Sequence, residues 1–166
     1  MEPRPRIKLI LSPLDKTLER LGIFFLVTLW VITLYVYWKM PQTIPTHFNA
    51  AGQPDSFGNK GTLFFLPVLG SLIFAGITAL NKHPHIFNYL TPITEHNAAQ
   101  QYAIATRAIR FIKLVVLIIV IAIVGYTYRS TNGTVGEFGK WLLPIILALV
   151  LLPVIYLIIQ LTKVKT

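Results

Sequence analysis

Four long apolar segments alternate with shorter polar segments along the chain. The uncharged runs are Leu21–Trp38, Gly61–Asn81, Leu114–Tyr128 and Trp141–Thr162. A helix rises about 1.5 Å per residue and the hydrocarbon core of a bilayer is about 30 Å thick, so about 20 apolar residues cross it. The third run reaches this length if its helix begins near Ile109. The pattern therefore predicts an all-α integral membrane protein with four transmembrane helices.

The polar segments set the boundaries of the predicted units. We predict a basic tail over residues 1–20 and a two-span unit over 21–81, which includes a polar loop at 39–60. A polar segment with an amphipathic helix follows over 82–113, then a second two-span unit over 114–162 and a short tail over 163–166. The first apolar run is followed by Trp-Lys-Met-Pro instead of the small residues of a cleavage site, so we expect it to remain as an anchor.

The distribution of charge predicts the orientation in the membrane. Fifteen Lys and Arg against six Asp and Glu give a net charge of +9, and the mean hydropathy is +0.64. Eleven of these basic residues lie in the two tails and in residues 82–113, which places them on one side of the predicted spans. Since cytoplasmic segments are enriched in Lys and Arg, both termini are predicted to be cytoplasmic and the 39–60 loop to lie outside. Charges that flank spans do not indicate a nucleic-acid partner.

Ionisable and small residues refine this picture of the spans. The central part of each predicted span is free of ionisable residues, which disfavours a proton-coupled transporter. Three basic side chains of the amphipathic segment are expected to contact anionic lipid headgroups. These residues are Arg107, Arg110 and Lys113. Ser71, Ala75 and Ala79 recur every four residues, and such a face allows a neighbouring span to approach closely.

The stretch Pro41–Gly61 is polar and rich in turn-forming residues. Its prolines restrict the backbone, its glycines permit positive φ, and a Pro-Asp pair favours a turn, so we expect an ordered loop. The candidate ligand-binding residues are His47, Asn49, Gly52, Asp55 and Lys60. Their side chains combine hydrogen bonding, general base action and contact with an anion. A purely local alternative is that Asn49 and Asp55 stabilise turns while Lys60 marks the membrane boundary.

The spacing Pro-x3-Pro-x-His-Phe-Asn-x2-Gly-x-Pro-Asp-x2-Gly-x-Lys over residues 41–60 resembles the signature of a bacterial membrane domain of unknown function, DUF1648. This domain forms the N-terminal part of SdpI-like immunity proteins. The motif positions that we assign to structure are Pro41, Pro45, Phe48, Pro54 and Gly58. The resemblance covers the first two spans with their loop and implies a multi-pass protein of the bacterial cytoplasmic (inner) membrane, as a small four-span member.

The resemblance also bears on function. SdpI-like proteins protect against a secreted toxic peptide and can signal by holding a transcriptional repressor at the membrane, but the present chain shows four predicted spans without their second multi-span domain. We therefore expect a non-enzymatic sensor or immunity-like binding protein. Its expected partners are membrane lipids and an extracytoplasmic peptide or envelope lipid, with homo-oligomerisation left open. No catalytic residue, metal site or cofactor is assigned.

Two alternatives use other residues. An envelope enzyme or metal-dependent activity would be centred on His47, Asp55 and Glu137, although a zinc site needs three or four well-placed ligands. A small structural subunit of a membrane complex would instead pack through the small-residue face of the second span. The chain contains no cysteine, which excludes disulfides and thiol catalysis.

Overall fold

Four helices of membrane-spanning length dominate the computed structural model, which describes residues 4–133 and 139–163. They are α1 (Pro13–Lys39), α2 (Phe65–Leu80), α3 (Ala98–Thr131) and α4 (Gly139–Lys163). Each is long and apolar enough to cross a membrane, α2 together with the 3-10 turn Lys60–Phe64 that precedes it. The prediction of a helical protein with four candidate spans is confirmed. A β-hairpin, which the sequence pattern did not predict, lies between α1 and α2.

The first helix begins at Pro13, earlier than the apolar run that starts at Leu21. Ser12 is the N-cap: its hydroxyl accepts a hydrogen bond from the Asp15 backbone N–H at 3.2 Å, and the Asp15 carboxylate accepts one from the Ser12 N–H at 2.9 Å. This reciprocal capping box satisfies two N–H groups that a helix start leaves unpaired. Pro13 fits the first turn because no intrahelical partner exists there for its missing N–H. Part of the predicted basic tail is therefore helical.

The helix α3 is the centre of the bundle, since it contacts α1, α2 and α4. It runs without a break from the amphipathic segment into the third apolar run. In the half of α3 nearer the hairpin, the face turned to the bundle interior is apolar. It forms a buried core with α1, β1 and the turn before α2. The core side chains are Leu29, Val36, Met40, Ile44, Leu63, Leu117, Val120 and Val124.

The small-residue face of α2 packs within the chain at only one of its three positions. Ser71 accepts a hydrogen bond from the indole Nε1 of Trp30 at 3.0 Å, whereas Ala75 and Ala79 are exposed. Gly70 of α2 packs against other helices, since an added Cβ there would lie 3.6 Å from Val120 and 3.8 Å from Leu29. The predicted intrachain packing is thus wrong for the two alanines. Their packing against another subunit stays a prediction.

At the end of the bundle opposite the hairpin, the N-terminal segment folds back onto the connection between α2 and α3. Arg4 donates hydrogen bonds to the carbonyl of Phe87 at 2.6 Å and of His85 at 3.2 Å, and its guanidinium lies over the Tyr89 ring. The Tyr102 hydroxyl donates to the carbonyl of Pro5 at 3.1 Å. These contacts order the start of the described chain against the base of the bundle.

Candidate functional site

The polar loop between α1 and α2 folds as an antiparallel hairpin of β1 (Thr43–Phe48) and β2 (Pro54–Asn59). Its turn depends on Asn49, whose side-chain oxygen accepts hydrogen bonds from the backbone N–H of Ala51 and of Gln53, each at 3.0 Å. Gly52 has a φ of 72°, a region that side chains disfavour. Asn49 and Gly52 therefore have structural roles in the turn.

The turn of the hairpin is held against the ends of α3 and α4. The Phe48 ring packs edge-to-face on Tyr126 of α3, with centroids 4.8 Å apart, and the Tyr126 hydroxyl donates to the Gly52 carbonyl. The Gly52 backbone lies so close to Gly139 that a Cβ at position 52 would overlap the Gly139 backbone. A glycine is thus required at position 52 for two reasons, conformation and space.

The pairing of the two strands brings His47 and Asp55 together. Pro45 pairs with Phe57 and Phe48 pairs with Pro54 in the same register, which places His47 level with Asp55. Between these pairs His47 is aligned with Ser56, and this local bulge leaves Thr46 and Asp55 outside the regular ladder. His47 Nδ1 lies 2.6 Å from Asp55 Oδ1, and the two side chains are 68% and 40% exposed.

The ring orientation at His47 follows from this contact. The hydrogen bond turns Nδ1 toward Asp55 and leaves the other ring nitrogen, Nε2, directed away from the carboxylate. The Ser56 hydroxyl, although opposite His47 in the strand register, accepts a hydrogen bond from Thr46 at 3.4 Å instead. Within the described residues the pair is therefore a polar, exposed unit without a hydrogen-bonded serine.

A cavity of about 400 Å³ opens beside this pair, between the hairpin and the start of α4. Its hairpin wall carries polar groups, whereas its helical wall is formed by Ile123, Leu142, Leu143 and Ile146. His47 lines the cavity, and so do the turn residues Asn49 and Gly52. The site thus combines a polar rim with an apolar floor.

The remaining predicted residues occupy other parts of the hairpin. Lys60 does not join His47 and Asp55: its Nζ lies over the Tyr37 ring at 4.5 Å, and its backbone N–H donates to the Gln42 carbonyl at 2.8 Å. Gly58 pairs with Ile44 across the strands, where an added Cβ would lie 3.0 Å from Thr46 Cγ2.

The prolines of the motif lie where a missing N–H is tolerated. Pro54 begins β2 and pairs with Phe48, Pro45 lies beside the bulge, and Pro41 lies between α1 and β1. Proline is confined to such strand starts and irregular positions because it cannot donate to a sheet.

A second polar cluster, which the sequence reasoning missed, lies at the opposite end of the bundle. We call it the charged cluster; it consists of Asp15 and Glu19 on α1 and of Arg107, Arg110 and Lys113 on α3. Asp15 accepts from Arg107 at 2.9 and 3.2 Å. Glu19 accepts from Arg110 Nε at 2.8 Å and from Lys113 Nζ at 2.6 Å. The cluster links the two helices by two acidic and three basic groups.

The prediction that these basic side chains reach lipid headgroups is wrong for Arg110 and Lys113. Their side chains are 5% and 0% exposed, and both point at Glu19. Lys113 also donates to Thr78 at 3.0 Å and lies 4.4 Å from the centroid of the Phe74 ring, so it joins α2 to the cluster. A desolvated charge requires such partners.

The sequence does contain a signal for this cluster. Asp15 and Glu19 are four residues apart, and the three basic residues are three apart, so each set lies on one helical face. Both sets occur near the same predicted membrane boundary. Complementary faces of this kind favour pairing between helices over contact with lipid.

The metal-dependent alternative rests on two described residues. Among residues 4–133 and 139–163, no group of three His, Cys, Asp or Glu side chains lies close enough to hold a metal ion. Glu137, the third residue of that hypothesis, lies outside the described residues.

The helices and the hairpin define a multi-pass membrane protein with a structured loop between its first two spans. Residues 24–70 match the model of a family described as a domain of unknown function, DUF1648. The matched region contains most of α1, the whole hairpin and the start of α2. The expected DUF1648 region is therefore confirmed, although its relation to SdpI-like immunity proteins stays a prediction.

A relative from Archaeoglobus fulgidus, described as an uncharacterised protein, is 36% identical over 86 residues. The alignment covers 47% of this chain and 47% of the relative, so the chain matches about half the length of that protein. No solved structure matches the chain. These comparisons identify a region of the sequence and do not assign an activity to it.

Proposed function

We propose that the protein is a non-enzymatic binding protein of the bacterial cytoplasmic membrane that recognises an amphipathic extracytoplasmic peptide or envelope lipid through its hairpin. The observation that carries the proposal is the exposed His47–Asp55 pair, whose histidine lines a cavity with an apolar helical wall. A ligand with one polar and one apolar part complements both surfaces. Immunity against a secreted toxic peptide is the specific form of this function that the family resemblance suggests.

The chemistry of the rim favours binding over catalysis. The Ser56 hydroxyl, which lies opposite His47 in the strand register, bonds to Thr46, so it does not form a nucleophile–base pair with the imidazole. The His47–Asp55 pair presents a carboxylate and an imidazole ring at positions fixed by their hydrogen bond. Such groups suit an ammonium or hydroxyl of a bound molecule.

The rigidity of the hairpin also supports a binding role. The Asn49 hydrogen bonds fix the turn, and the contacts of Phe48 and Gly52 with Tyr126 hold the hairpin on α3. A preformed surface loses little conformational freedom when a ligand binds. The excess of Lys and Arg on the opposite side of the spans supports an extracytoplasmic position for this surface.

The proposal is tested by site-specific photo-cross-linking in intact cells. A benzophenone amino acid at Ala50, an exposed residue that lines the cavity, should form an adduct with the bound molecule. Replacing His47 and Asp55 with Ala should abolish the adduct while membrane insertion is retained, since both side chains are exposed. The analogous variant His83→Ala/His85→Ala, at the other end of the bundle, should leave the adduct unchanged.

The same cells test the orientation. Because the chain contains no cysteine, Gln53→Cys provides a single thiol at the hairpin turn, and a membrane-impermeant maleimide should label it from outside. Labelling only after permeabilisation would place the hairpin in the cytoplasm and refute the proposed side. An undiminished Ala50 adduct in the His47/Asp55 double variant would refute the proposed binding residues.

A further inference from the structure

A groove of about 510 Å³ runs along α3 and α4 near the charged cluster, with the start of α1 at one end. Its lining residues are Leu14, Ile104, Arg107, Ala108, Phe111, Leu152, Pro153, Tyr156 and Gln160. The function proposed for the hairpin does not use this groove, which lies at the opposite end of the molecule.

The groove changes from polar to apolar along the helix axes. Arg107 lies nearer the start of α3 and Gln160 nearer the end of α4, whereas Phe111 and Leu152 lie nearer the middle of their helices. From Gln160 to Leu152 the groove follows α4 for about 12 Å. Its axis is therefore parallel to the helices and hence to the direction in which lipid chains lie in a bilayer.

The polar end of the groove lies at the expected depth of a headgroup. Arg107 is separated along α3 by about 32 Å from Tyr128, an aromatic residue near the hairpin end, and this distance is close to the thickness of the hydrocarbon core. Tyr156, which is 64% exposed, lines the groove beside these polar groups. Tyrosine is a residue typical of the boundary between lipid and water.

Arg107 has capacity to bind an anion in addition to its partner Asp15. Its Nε and Nη2 atoms donate to Asp15, but among the described residues no hydrogen bond is found for Nη1, and its side chain is 35% exposed. The segments at this end of the bundle are basic: residues 4–20 and 107–113 contain eight Lys and Arg and two Asp and Glu. A negative group at the polar end would thus be stabilised electrostatically.

We propose that this groove binds one molecule of anionic phospholipid, with the phosphate at Arg107 and Gln160 and an acyl chain along Ala108, Phe111 and Leu152. The apolar part of the groove excludes a free phosphate as the preferred ligand because that ion would leave those walls uncovered. An extended peptide segment would leave backbone groups unpaired at membrane depth. A lipid satisfies both parts of the groove without such a cost.

The test measures how many lipids the purified protein retains in detergent, by native mass spectrometry with phosphatidylglycerol and phosphatidylcholine of identical acyl chains. We expect phosphatidylglycerol to bind about tenfold more tightly, because the choline cation of phosphatidylcholine offsets the charge of its phosphate and is itself repelled by basic side chains. Glycerol phosphate, which lacks acyl chains, should not bind measurably. Equal retention of the two lipids, or binding of glycerol phosphate alone, would overturn the proposal.

Two variants separate the headgroup contact from the groove. Asp15→Asn/Arg107→Gln removes both charges of the pair together and should abolish the preference for phosphatidylglycerol. Ala108→Trp fills the groove without touching the ion pair and should abolish retention of both lipids, whereas Leu72→Trp, on the exposed face of α2, should have no effect. Unchanged retention by Ala108→Trp would refute the site, even if the charge variant does not fold.

Discussion

The two ends of this molecule use polar residues in opposite ways. At the hairpin, His47 and Asp55 are paired but exposed, and the turn that carries them is fixed by Asn49 and Gly52. At the other end, Arg110 and Lys113 are buried against Glu19 and connect three helices. An exposed pair is available to a ligand and contributes little stability, whereas a buried network contributes structure and is unavailable. The comparison separates a candidate recognition surface from a structural one.

The largest expected effect comes from Glu19→Gln. This substitution leaves Arg110 and Lys113 buried without their counter-charge, and breaking a buried pair typically costs about 3–5 kcal/mol. For a chain of this size the unfolding midpoint in detergent should fall by about 10 °C or more. The measurement heats samples of the purified protein to a series of temperatures and quantifies the remaining folded protein by size-exclusion chromatography.

Glu95→Gln is the matched control because Glu95 is exposed. It should leave the unfolding midpoint within about a degree or two of the original value, as is usual for surface substitutions. A similarly small change for Glu19→Gln would show that the charged cluster does not stabilise the bundle, and would remove the contrast between the two ends.

An intermediate effect is expected for Gly52→Ala. The residue has positive φ, which costs a non-glycine residue about 1–2 kcal/mol, and its Cβ would also overlap the Gly139 backbone. Hydrogen exchange of the backbone amides over residues 49–53 should accelerate because the turn must leave α4.

Gly133→Ala separates the two causes. Gly133 has the same φ of 72°, but an added Cβ meets nothing within 4 Å. It should therefore carry the conformational cost alone and leave exchange at the hairpin unchanged. Equal effects of the two substitutions on the unfolding midpoint would mean that the overlap with Gly139 does not lower the free energy of unfolding.

The smallest effect is expected for Tyr126→Phe. The substitution keeps the ring that packs on Phe48 but removes the hydrogen bond to the Gly52 carbonyl, at a cost of about 1 kcal/mol. Exchange in the turn should increase by several-fold, with little change elsewhere. Tyr35→Phe, at an exposed tyrosine, should change neither quantity; an effect of that control as large as that of Tyr126→Phe would contradict the specific role of the hydroxyl.

The spans and the loop motif could be predicted from the sequence because each is a local pattern. Apolar length determines a span, and the spacing of proline, histidine and glycine identified the DUF1648 region. The hairpin could not be predicted in this way, because His47 meets Asp55 through the pairing of two strands that the apolar pattern does not reveal. Lys60 was grouped with them by proximity in sequence, but the end of β2 directs it to Tyr37.

The charged cluster shows a different limit of sequence reasoning. Each basic residue of α3 was interpreted singly, as a contact with lipid, although its partner lies on α1, more than eighty positions earlier in the chain. Gly22 is part of the same arrangement: an added Cβ would lie 2.9 Å from Phe74 and 3.5 Å from Lys113. Only the packing of three helices explains why a glycine occurs there.

The docking of the hairpin has a consequence for modularity. The region that matches the family ends at residue 70, but the turn within it is held by Tyr126 and Gly139, which lie beyond that limit. A fragment cut after α2 would keep the hairpin sequence and lose the surfaces that position it. The matched region is therefore not an autonomous unit, and a graft of this loop onto another membrane protein would have to carry its supports on α3 and α4 as well.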